Sequence, residues 1–485
     1  MFNYTKTSRL FISFFFCQTL FSQEQLGLRL GNYAGISGVR INPTSGVNNP
    51  LGWDANIVSL GGFLANDYIF IKDASMPSFF RNLSTLGPAP ETKITVPTQP
   101  TQFFDFFNRK RDKFISSSAF VGLPSFQLNL ESGHTFGVFF EQRSGLSTRN
   151  IPIIADPYEQ KIPLNLRYEV QPLVIMGMAW GELGFNYAYQ IGNEAEGGLS
   201  FGVTAKVLRA NQGFFVQNLD GTAFTRLTKD STRIDALNVR VGFTNNFMDK
   251  PLSNNGLGFG FDLGAQFVLG SGELDNRPYL FRLGASILDI GHVNFTKNAQ
   301  VHAVKLTEPL QVDSKKYQNL NPTAPEEDAI HRFNQTMYGK ADSSLQGHYF
   351  AIGLPSAISF QGDFAVTDKF FINGLLIQRL QMSHFSISRD NVFAVTPRFE
   401  SQWLGASLPL SILNYSQVRL GLAARLAFLT VGTDHLLSFL GEKRLSGSDF
   451  YVALKINAFT LGKLGSNGGF WVGNRGGKKA KCYRF

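Results

Sequence analysis

Three arrangements of residue types in this sequence could support metal binding or nucleophilic catalysis. Glu327 and His331 lie one helical turn apart, and carboxylate and imidazole groups are common zinc ligands. Residues 198–202 (GLSFG) match the G-x-S-x-G pattern, in which a nucleophilic serine, here Ser200, occupies a tight turn between a strand and a helix. Ser383 and His384 place a hydroxyl group beside a base.

The elements that would position these groups argue against all three arrangements. A zinc site needs further protein ligands, and none follows Glu327 and His331 at a zinc-binding spacing. Ser200 begins an alternating strand rather than a strand-to-helix turn. Adjacent residues of a strand, as we expect for Ser383 and His384, point to opposite faces. We therefore predict that the chain is not an enzyme and has no catalytic residue, no metal site and no cofactor.

Alternation of apolar residues with small or polar residues is the dominant pattern of the chain. In residues 257–267 (LGFGFDLGAQF) the odd positions are apolar and the even positions are glycine, aspartate or glutamine. Residues 237–244 (LNVRVGFT) alternate in a similar way. Such a period of two lets one face of a strand meet lipid while the other faces a barrel lumen. The glycines of residues 257–267 do not indicate a nucleotide-binding loop, because no buried strand precedes them and no helix follows.

These strands predict an all-β fold, a transmembrane antiparallel β-barrel of about 14 strands, within a range of roughly 12 to 16, and they leave ample chain for loops and a plug. The segments interpreted as strands are residues 58–64, 68–71, 126–130, 136–140, 183–191, 199–207, 237–244, 257–267, 281–287, 358–364, 371–377, 393–403, 418–428 and 450–458. The alternative is a soluble β-sandwich. So many strands would need several sandwiches, and the sequence shows no boundaries between them.

Composition and the N-terminus also favour a membrane barrel. Only 17% of the residues are charged, while the chain contains 47 Phe and 48 Gly. Residues 1–22 combine Lys6 and Arg9 with an apolar run and a small-residue cleavage point at Ser22, which is typical of a secretory signal peptide. No later segment offers the apolar length of a membrane-spanning helix, so a closed barrel in the outer membrane is the predicted location and fold.

The predicted organisation is a single barrel domain with extensions at both ends. The parts are a signal peptide (1–22), a hatch or plug (23–52), a barrel (53–460) with long loops near 72–113 and 294–346, and a basic tail (461–485). The tail concentrates cations of a chain whose net charge is +9, and it could contact anionic lipid or remain solvated. An exported membrane protein is not expected to bind nucleic acid. Cys482, the sole thiol after signal cleavage, cannot form an intramolecular disulfide.

Several segments, in order along the chain, resemble a family of outer-membrane barrels of unknown function from the Bacteroidota. The matching segments are residues 282–291 (RLGASILDIG), 354–363 (LPSAISFQGD), 371–380 (FINGLLIQRL), 395–410 (VTPRFESQWLGASLPL), 419–425 (RLGLAAR) and 450–455 (FYVALK). The resemblance covers most of the chain beyond the signal peptide. It implies an outer-membrane barrel but no defined activity.

Residues 32–50 (NYAGISGVRINPTSGVNNP) are similar to the hatch that opens the FadL family of long-chain fatty-acid transporters. This resemblance implies a fourteen-stranded barrel with the hatch folded into its lumen. Arg40 precedes the Asn-Pro pair, and Thr44 follows it where the family usually has alanine. The candidate plug residues are Asn32, Gly35, Gly38, Asn42, Pro43, Asn49 and Pro50.

Two functions follow from these resemblances. A FadL-like barrel would carry hydrophobic small molecules passively, with outer-membrane lipid and an apolar ligand as its partners. A PorV-like barrel would instead be a non-transporting scaffold or accessory subunit for envelope protein secretion, with secretion-system proteins as partners. A transporter should show an apolar ligand cavity beneath the hatch and a lateral opening, whereas a scaffold should show a sealed lumen and an apolar patch on its loops.

Overall fold

The structure is a computed structural model. It describes residues 24–47, 49–82, 104–107, 113–130, 132–151, 164–193, 197–218, 220–228, 231–247, 249–271, 276–306, 308–313, 330–332, 334–335 and 338–457. The predicted signal peptide, the basic tail, Cys482 and Glu327 lie outside these residues.

The described chain is built almost entirely of strands with four short helices. In chain order the strands are β1 (Trp53–Asn66), β2 (Ile69–Ala74), β3 (Phe104–Phe106), β4 (Lys113–Gly122), β5 (Ser125–Asn129), β6 (His134–Ile151), β7 (Arg167–Val170), β8 (Leu173–Asn193), β9 (Gly197–Asn218), β10 (Thr222–Arg226), β11 (Ser231–Ala236), β12 (Asn238–Thr244), β13 (Gly256–Leu269), β14 (Phe281–Phe295), β15 (Ala299–Lys305), β16 (Leu310–Asp313), β17 (Leu345–Gly347), β18 (Phe350–Gly353), β19 (Ala357–Ala365), β20 (Phe370–Arg379), β21 (Val392–Glu400), β22 (Leu404–Ser407), β23 (Leu410–Leu413), β24 (Gln417–Leu420), β25 (Leu422–Leu426), β26 (Leu429–Thr433), β27 (Glu442–Leu445) and β28 (Gly447–Asn457). The helices are α1 (Leu26–Arg29), a 3₁₀ helix (Gly35–Arg40), α2 (Met76–Arg81) and α3 (Leu437–Leu440).

The large sheet closes into a transmembrane barrel because β1 pairs with β28 on one side and with β4 and β5 on the other, always antiparallel. Counted around the circumference in the described residues, the wall has 14 positions. Six positions consist of interrupted strands: β4 with β5, β12 with β13, β14 with β15, β17 with β18 and β19, β22 with β23, and β24 with β25. Closure leaves no sheet edge exposed within lipid, because each wall position pairs with a neighbour on both sides.

The outer face of the wall is apolar, as the alternation predicts, while the inner face is polar or small on β13 and carries large apolar side chains such as Met176 and Leu375 elsewhere. On β13, Phe259 and Phe261 are 65% and 49% exposed, whereas the intervening side chains face inward. Asp262, for example, is buried. This arrangement gives a hydrophobic belt towards lipid, and it leaves the inner side chains to pack against one another.

The two ends of the barrel differ. One end has short turns such as residues 366–369, 401–403 and 427–428, while the other carries the long connections. Two small sheets, β16-β11-β10-β7 and β27-β2-β3, lie in these long connections. We call this the loop end. β8 and β9 have 21 and 22 residues, about twice the roughly 9 to 11 residues needed to span a bilayer, so this side of the wall projects beyond the membrane. No helix among the described residues is long and apolar enough to cross a membrane.

The N-terminal segment lies inside the barrel, because its polar contacts reach wall strands on all sides. These contacts are Leu26 N to Asp434 Oδ2 (3.0 Å), Asn32 N to Glu400 Oε2 (3.1 Å), Ile36 N to Asp54 Oδ2 (3.0 Å), Ser286 Oγ to Ile41 O (2.7 Å) and Asn186 Nδ2 to Pro43 O (3.1 Å). Its buried apolar side chains include Leu26, Ile36, Val39 and Ile41. Residues 24–52, excluding residue 48, which is not described, are called the hatch below.

The predicted strand count is confirmed, but two members of the set differ. Residues 237–244 and 257–267 occupy one wall position, and residues 68–71 overlap β2, which pairs outside the barrel. The two positions that the sequence did not reveal are β22 with β23 and β26, which are very short strands. The second long loop also begins later than predicted, because β14 continues to Phe295 and β15 extends the wall to Lys305.

Candidate functional site

The Asn42–Pro43 turn of the hatch rests on three glycines of neighbouring wall strands. An added Cβ at Gly202 would lie 2.7 Å from the carbonyl carbon of Pro43, and one at Gly264 would lie 2.7 Å from Pro43 Cδ. An added Cβ at Gly284 would lie 2.9 Å from Asn42 Nδ2. Side chains at these positions would therefore push the hatch away from the wall.

Asn42 fixes the turn internally as well as against the wall. Its Oδ1 accepts hydrogen bonds from the backbone N of Thr44 (3.0 Å) and from the Thr44 hydroxyl (2.8 Å). Its Nδ2 donates to the carbonyl of Ala265 on β13 (3.2 Å). Thr44, the residue that departs from the FadL pattern, thus adds a hydrogen bond that alanine could not make.

The other predicted plug residues have different environments. Asn32 binds Glu400 through its backbone N (3.1 Å), and Asn32 Oδ1 accepts from the Tyr279 hydroxyl (3.2 Å). Gly35 has a φ of 53° and packs on Asp54, so an L side chain there would be strained and obstructed. Gly38 packs on Ser45, and Asn49 Oδ1 accepts from Leu51 N (3.0 Å), whereas Pro50 is exposed at the end of the hatch.

Buried charges hold the middle of the hatch, and sequence reasoning missed them. Arg40 forms ion pairs with Glu141 on β6 and Glu182 on β8, and its side chain is only 7% exposed. The Glu182 side chain is 0% exposed, and Trp180 Nε1 also donates to it (3.2 Å). Because both acids accept from a single guanidinium, Arg40 ties the hatch to two adjacent wall strands.

A second group of buried charges adjoins the first and is centred on Asp289 of β14. Arg143 donates to both of its oxygens (3.0 and 3.1 Å), and Lys206 donates to Oδ1 (2.6 Å). Lys206 also donates to Asp262 (2.7 Å). Arg143 in turn contacts Glu182 (3.3 Å), so the two groups form one network across the lumen. The partners lie far apart in sequence, and no local pattern identifies them.

Residues 380–391 also fold into the lumen, from the loop end. Phe385 O accepts from Gly353 N (2.7 Å), and Gly353 O accepts from Ile387 N (3.1 Å). Arg389 then donates through Nε (2.8 Å) and Nη2 (2.7 Å) to the two oxygens of Glu24. Residues 380–391, called the inner loop below, therefore contact the hatch directly.

An apolar cavity of about 460 Å³ lies on the outer side of the projecting wall. Gly177 pairs with Phe214, which pairs with Phe243, so these residues share one face. Their side chains point outward, because the alternating residues Met176 and Met178 belong to the buried cluster inside the barrel, although Met178 and Phe215 of that cluster also border the cavity. Ala179, Val216 and Val241 extend the lining, and Ile330 from the long connection after β16 also borders it.

The cavity begins where the lipid-facing belt ends. On β9 the exposed outer residues Phe201, Val203 and Val207 are followed by the exposed Arg209, and Phe214 of the cavity lies only five residues further. A charged residue facing outward marks the boundary of the hydrophobic region of a barrel. The cavity therefore lies on the loop-end side of the lipid-facing belt.

The backbone ladder of the wall is interrupted beside the cavity. β9 pairs with β12 through Phe214 and with β13 through Ala210, but between them its partner strand is replaced by residues 245–255. Side chains close this gap: Gln212 Nε2 donates to Asn246 Oδ1 (3.2 Å). Thr244 Oγ1 accepts from Gly213 N (3.3 Å). Side-chain bonds can exchange partners without breaking a sheet, unlike a ladder of backbone bonds.

Of the residues considered for catalysis or metal binding, those that the structure describes do not come together in a site, and Glu327 lies outside the described residues. Ser200 lies within β9 rather than at a strand-to-helix turn, and Gly202 of the same GLSFG pattern is the glycine that contacts Pro43. Ser383 and His384 lie in the inner loop, not in a strand as expected. His331 pairs with Asp342 (3.0 Å). Among the described residues, no three potential metal ligands come together.

The barrel, its inward hatch and its buried ion pairs define the class: a transmembrane β-barrel with an internal plug. Within that class, the chain belongs to the family of unknown function DUF5723, which matches residues 75–434. No curated protein sequence matches it.

Similar solved structures include several outer-membrane barrels. The Pseudomonas putida toluene transporter TodX is 8% identical with a TM-score of 0.37, and the match covers 90% of this chain and 98% of TodX. A Pseudomonas aeruginosa FadL homologue is 8% identical with a TM-score of 0.24, covering 90% and 99% of the two chains. The translocator domain of the Neisseria meningitidis autotransporter NalP is 6% identical with a TM-score of 0.29, covering 84% and 88%. Similarity at this level assigns no activity.

Proposed function

We propose that this protein carries hydrophobic small molecules passively across the outer membrane. The observation that supports this most directly is the apolar cavity on β6, β8, β9 and β12 at the upper limit of the lipid-facing belt. Its volume of about 460 Å³ falls within the range of known small-molecule sites, and its walls are mainly aliphatic, aromatic or glycine. The cavity lies in the wall at the loop end, not beneath the hatch as the sequence comparison led us to expect.

The interrupted ladder provides a way from this cavity into the lumen. Gln212, Gly213 and Thr244 border the cavity and also form the side-chain contacts of the gap. Exchange of those contacts would open the wall locally while the backbone pairs on both sides persist. The hatch then controls further passage, and the concentration difference across the membrane supplies the driving force.

Two substitutions separate binding in the cavity from contact with lipid. Ala179→Trp places a large ring in the cavity, and Ala205→Trp adds the same ring on the exposed outer face of β9 within the lipid belt. Purified protein would be photolabelled with an apolar diazirine probe, and the labelled peptides would be identified by mass spectrometry. We expect labelling of residues 212–216 and 241–244 in the unsubstituted protein and in A205W, with at least a threefold loss in A179W.

Equal labelling of these peptides in both variants would contradict the proposed binding site. The folded state of each variant is checked by the mobility difference between unheated and boiled samples on a gel. The alternative is a PorV-like scaffold, which would use the same apolar surface at the loop end to bind a protein. Purification in mild detergent with a stoichiometric protein partner and no bound apolar molecule would support that alternative instead.

A further inference from the structure

A second, polar cavity of about 250 Å³ lies at the loop end of the lumen. Arg149 comes from β6 and Arg379 from β20, strands that stand on opposite sides of the fourteen-position wall. Arg379 is in phase with the buried Leu375 and Ile377 of its strand, so it faces inward. Arg149 is in phase with Ser147, whose Oγ accepts from the backbone N of Ser388 in the inner loop (2.9 Å). The cavity therefore spans the mouth of the barrel.

The acidic groups of this cavity are already engaged by neutral donors. Asp67 Oδ1 accepts from Phe114 N (2.7 Å), and Asp390 Oδ1 accepts from Asn414 Nδ2 (2.6 Å). Neither acid forms an ion pair with Arg149 or Arg379 among the described residues. Asp390 attracts both guanidinium groups through space, but the lining carries three cations, Lys113, Arg149 and Arg379, against the two acids Asp67 and Asp390.

Both arginines have guanidinium N–H groups without a hydrogen-bond acceptor among the described residues. Arg149 uses Nη1 to contact Gln381, but its buried Nε has no acceptor. The side chain of Arg379 has no acceptor in the part of the chain that the structure describes. A buried donor without an acceptor costs roughly 1–3 kcal/mol, and the Arg149 and Arg379 guanidinium groups also repel each other. An oxyanion between them would relieve both effects.

We propose that this mouth cavity binds an oxyanion, a carboxylate or phosphate group that enters from the loop side. Guanidinium groups match such anions because their N–H donors form paired, nearly parallel hydrogen bonds with two oxygens. Lys113 adds a third cation to the lining, and the Asn414 and Ser416 side chains add polar groups. The site faces the lumen, so it is reached by a solute rather than by a lipid head group in the bilayer. It does not depend on the apolar cavity or on passage of hydrophobic molecules.

Titration of the full-length protein in a non-ionic detergent at low ionic strength would test this site. Inorganic phosphate is the first probe, observed through broadening of its ³¹P resonance, and dodecyl phosphate is the second. Arg149→Gln and Arg379→Gln should each weaken phosphate binding at least tenfold. Arg149→Lys, which retains the charge but not the planar fork, should weaken it less. Arg167→Gln removes an exposed cation of the loop-end sheet and should leave binding unchanged.

Heat-dependent gel mobility confirms that each variant is folded. If dodecyl phosphate binds more tightly than inorganic phosphate with the same dependence on both arginines, the source of the anion is an amphipathic molecule; equal affinities indicate a free anion. Both results support the site. Absence of saturable phosphate binding, or the same affinity loss in R167Q as in R149Q and R379Q, would overturn it.

Discussion

Three glycines of the wall leave the space that the hatch occupies. Gly202, Gly264 and Gly284 come from three strands that are distant in sequence, yet each would meet Asn42 or Pro43 if it carried a Cβ. At Gly202 the obstructing atoms are backbone atoms of Pro43, which cannot rotate away as a side chain can. The position of the Asn-Pro turn therefore depends on the absence of single methyl groups from the wall.

Gly202→Ala should displace the hatch without unfolding the barrel. The added Cβ would lie 2.7 Å from Pro43, and overpacking of this kind costs about 1–3 kcal/mol. We expect faster proteolysis of residues 24–52 and a lower thermal unfolding midpoint. Gly374→Ala is the matched control, because the nearest atom to its added Cβ is 3.9 Å away. Identical proteolysis of the two variants would argue against a close contact between the hatch and Gly202.

Some of these residues could be predicted from the sequence and others could not. Asn42 and Pro43 stand out in the sequence because residues 32–50 are similar to the FadL hatch, which contains an Asn-Pro pair. For Arg40, the sequence shows only that a positive charge precedes this pair. Its partners Glu141 and Glu182 are more than 100 residues away, and a single sequence carries no signal of such a pairing. The same holds for Arg143, whose contact with Asp289 depends on the curvature of the closed wall.

At the scale of elements, the hatch is anchored at its first helix by an acidic group. Asp434, just after β26, accepts from the backbone N of Leu26 at the start of α1 (3.0 Å) and from the Tyr451 hydroxyl (3.2 Å). Burial, together with the nearby negative charge of Asp449, raises the pKa of Asp434 well above its usual range. The neutral acid is thus the form that the folded protein favours.

The raised pKa of Asp434 should make the folded protein less stable as the pH rises. For an acid whose folded-state pKa is raised, the stabilisation is fully present below the unfolded pKa of about 3.9 and is lost as the pH rises through the folded value. The thermal unfolding midpoint should therefore fall towards alkaline pH. Asp434→Asn, which stays neutral, should flatten this dependence. An unchanged pH profile in D434N would show that another group is responsible.

Short or interrupted elements account for the strands that the sequence did not reveal. β22 and β23 have four residues each and are separated by Leu408 and Pro409, and β26 has five residues. Such segments complete barely one or two periods of alternation. β12 and β13 were instead predicted as two separate wall strands, because each alternates clearly and an irregular segment separates them. Pairing with β9 reveals that they are one.

At the scale of the whole molecule, the two ends of the barrel are built differently. Long connections and two small sheets lie at one end, and short turns lie at the other. Outer-membrane barrels place their short turns on the periplasmic side. The apolar cavity and the oxyanion site are both near the loop end, so this orientation would present both sites to the cell exterior.

Thiol labelling in intact cells would check this orientation. In a Cys482→Ser background, Ser343→Cys places a thiol in an exposed loop-end segment, and Asp368→Cys places one in an exposed short turn. A membrane-impermeant maleimide should label S343C in intact cells and D368C only after the outer membrane is disrupted. The reverse pattern would mean that the loop end faces the periplasm.

The rate at which an apolar dye enters cells tests the proposed transport most directly. N-phenyl-1-naphthylamine fluoresces in apolar surroundings, and an intact outer membrane slows its entry. Cells that contain the unsubstituted protein or A205W should take up the dye several times faster than cells without the protein, and A179W should return the rate to that lower level. Equal uptake with and without the protein, or full activity of A179W, would contradict passage of hydrophobic molecules through the cavity.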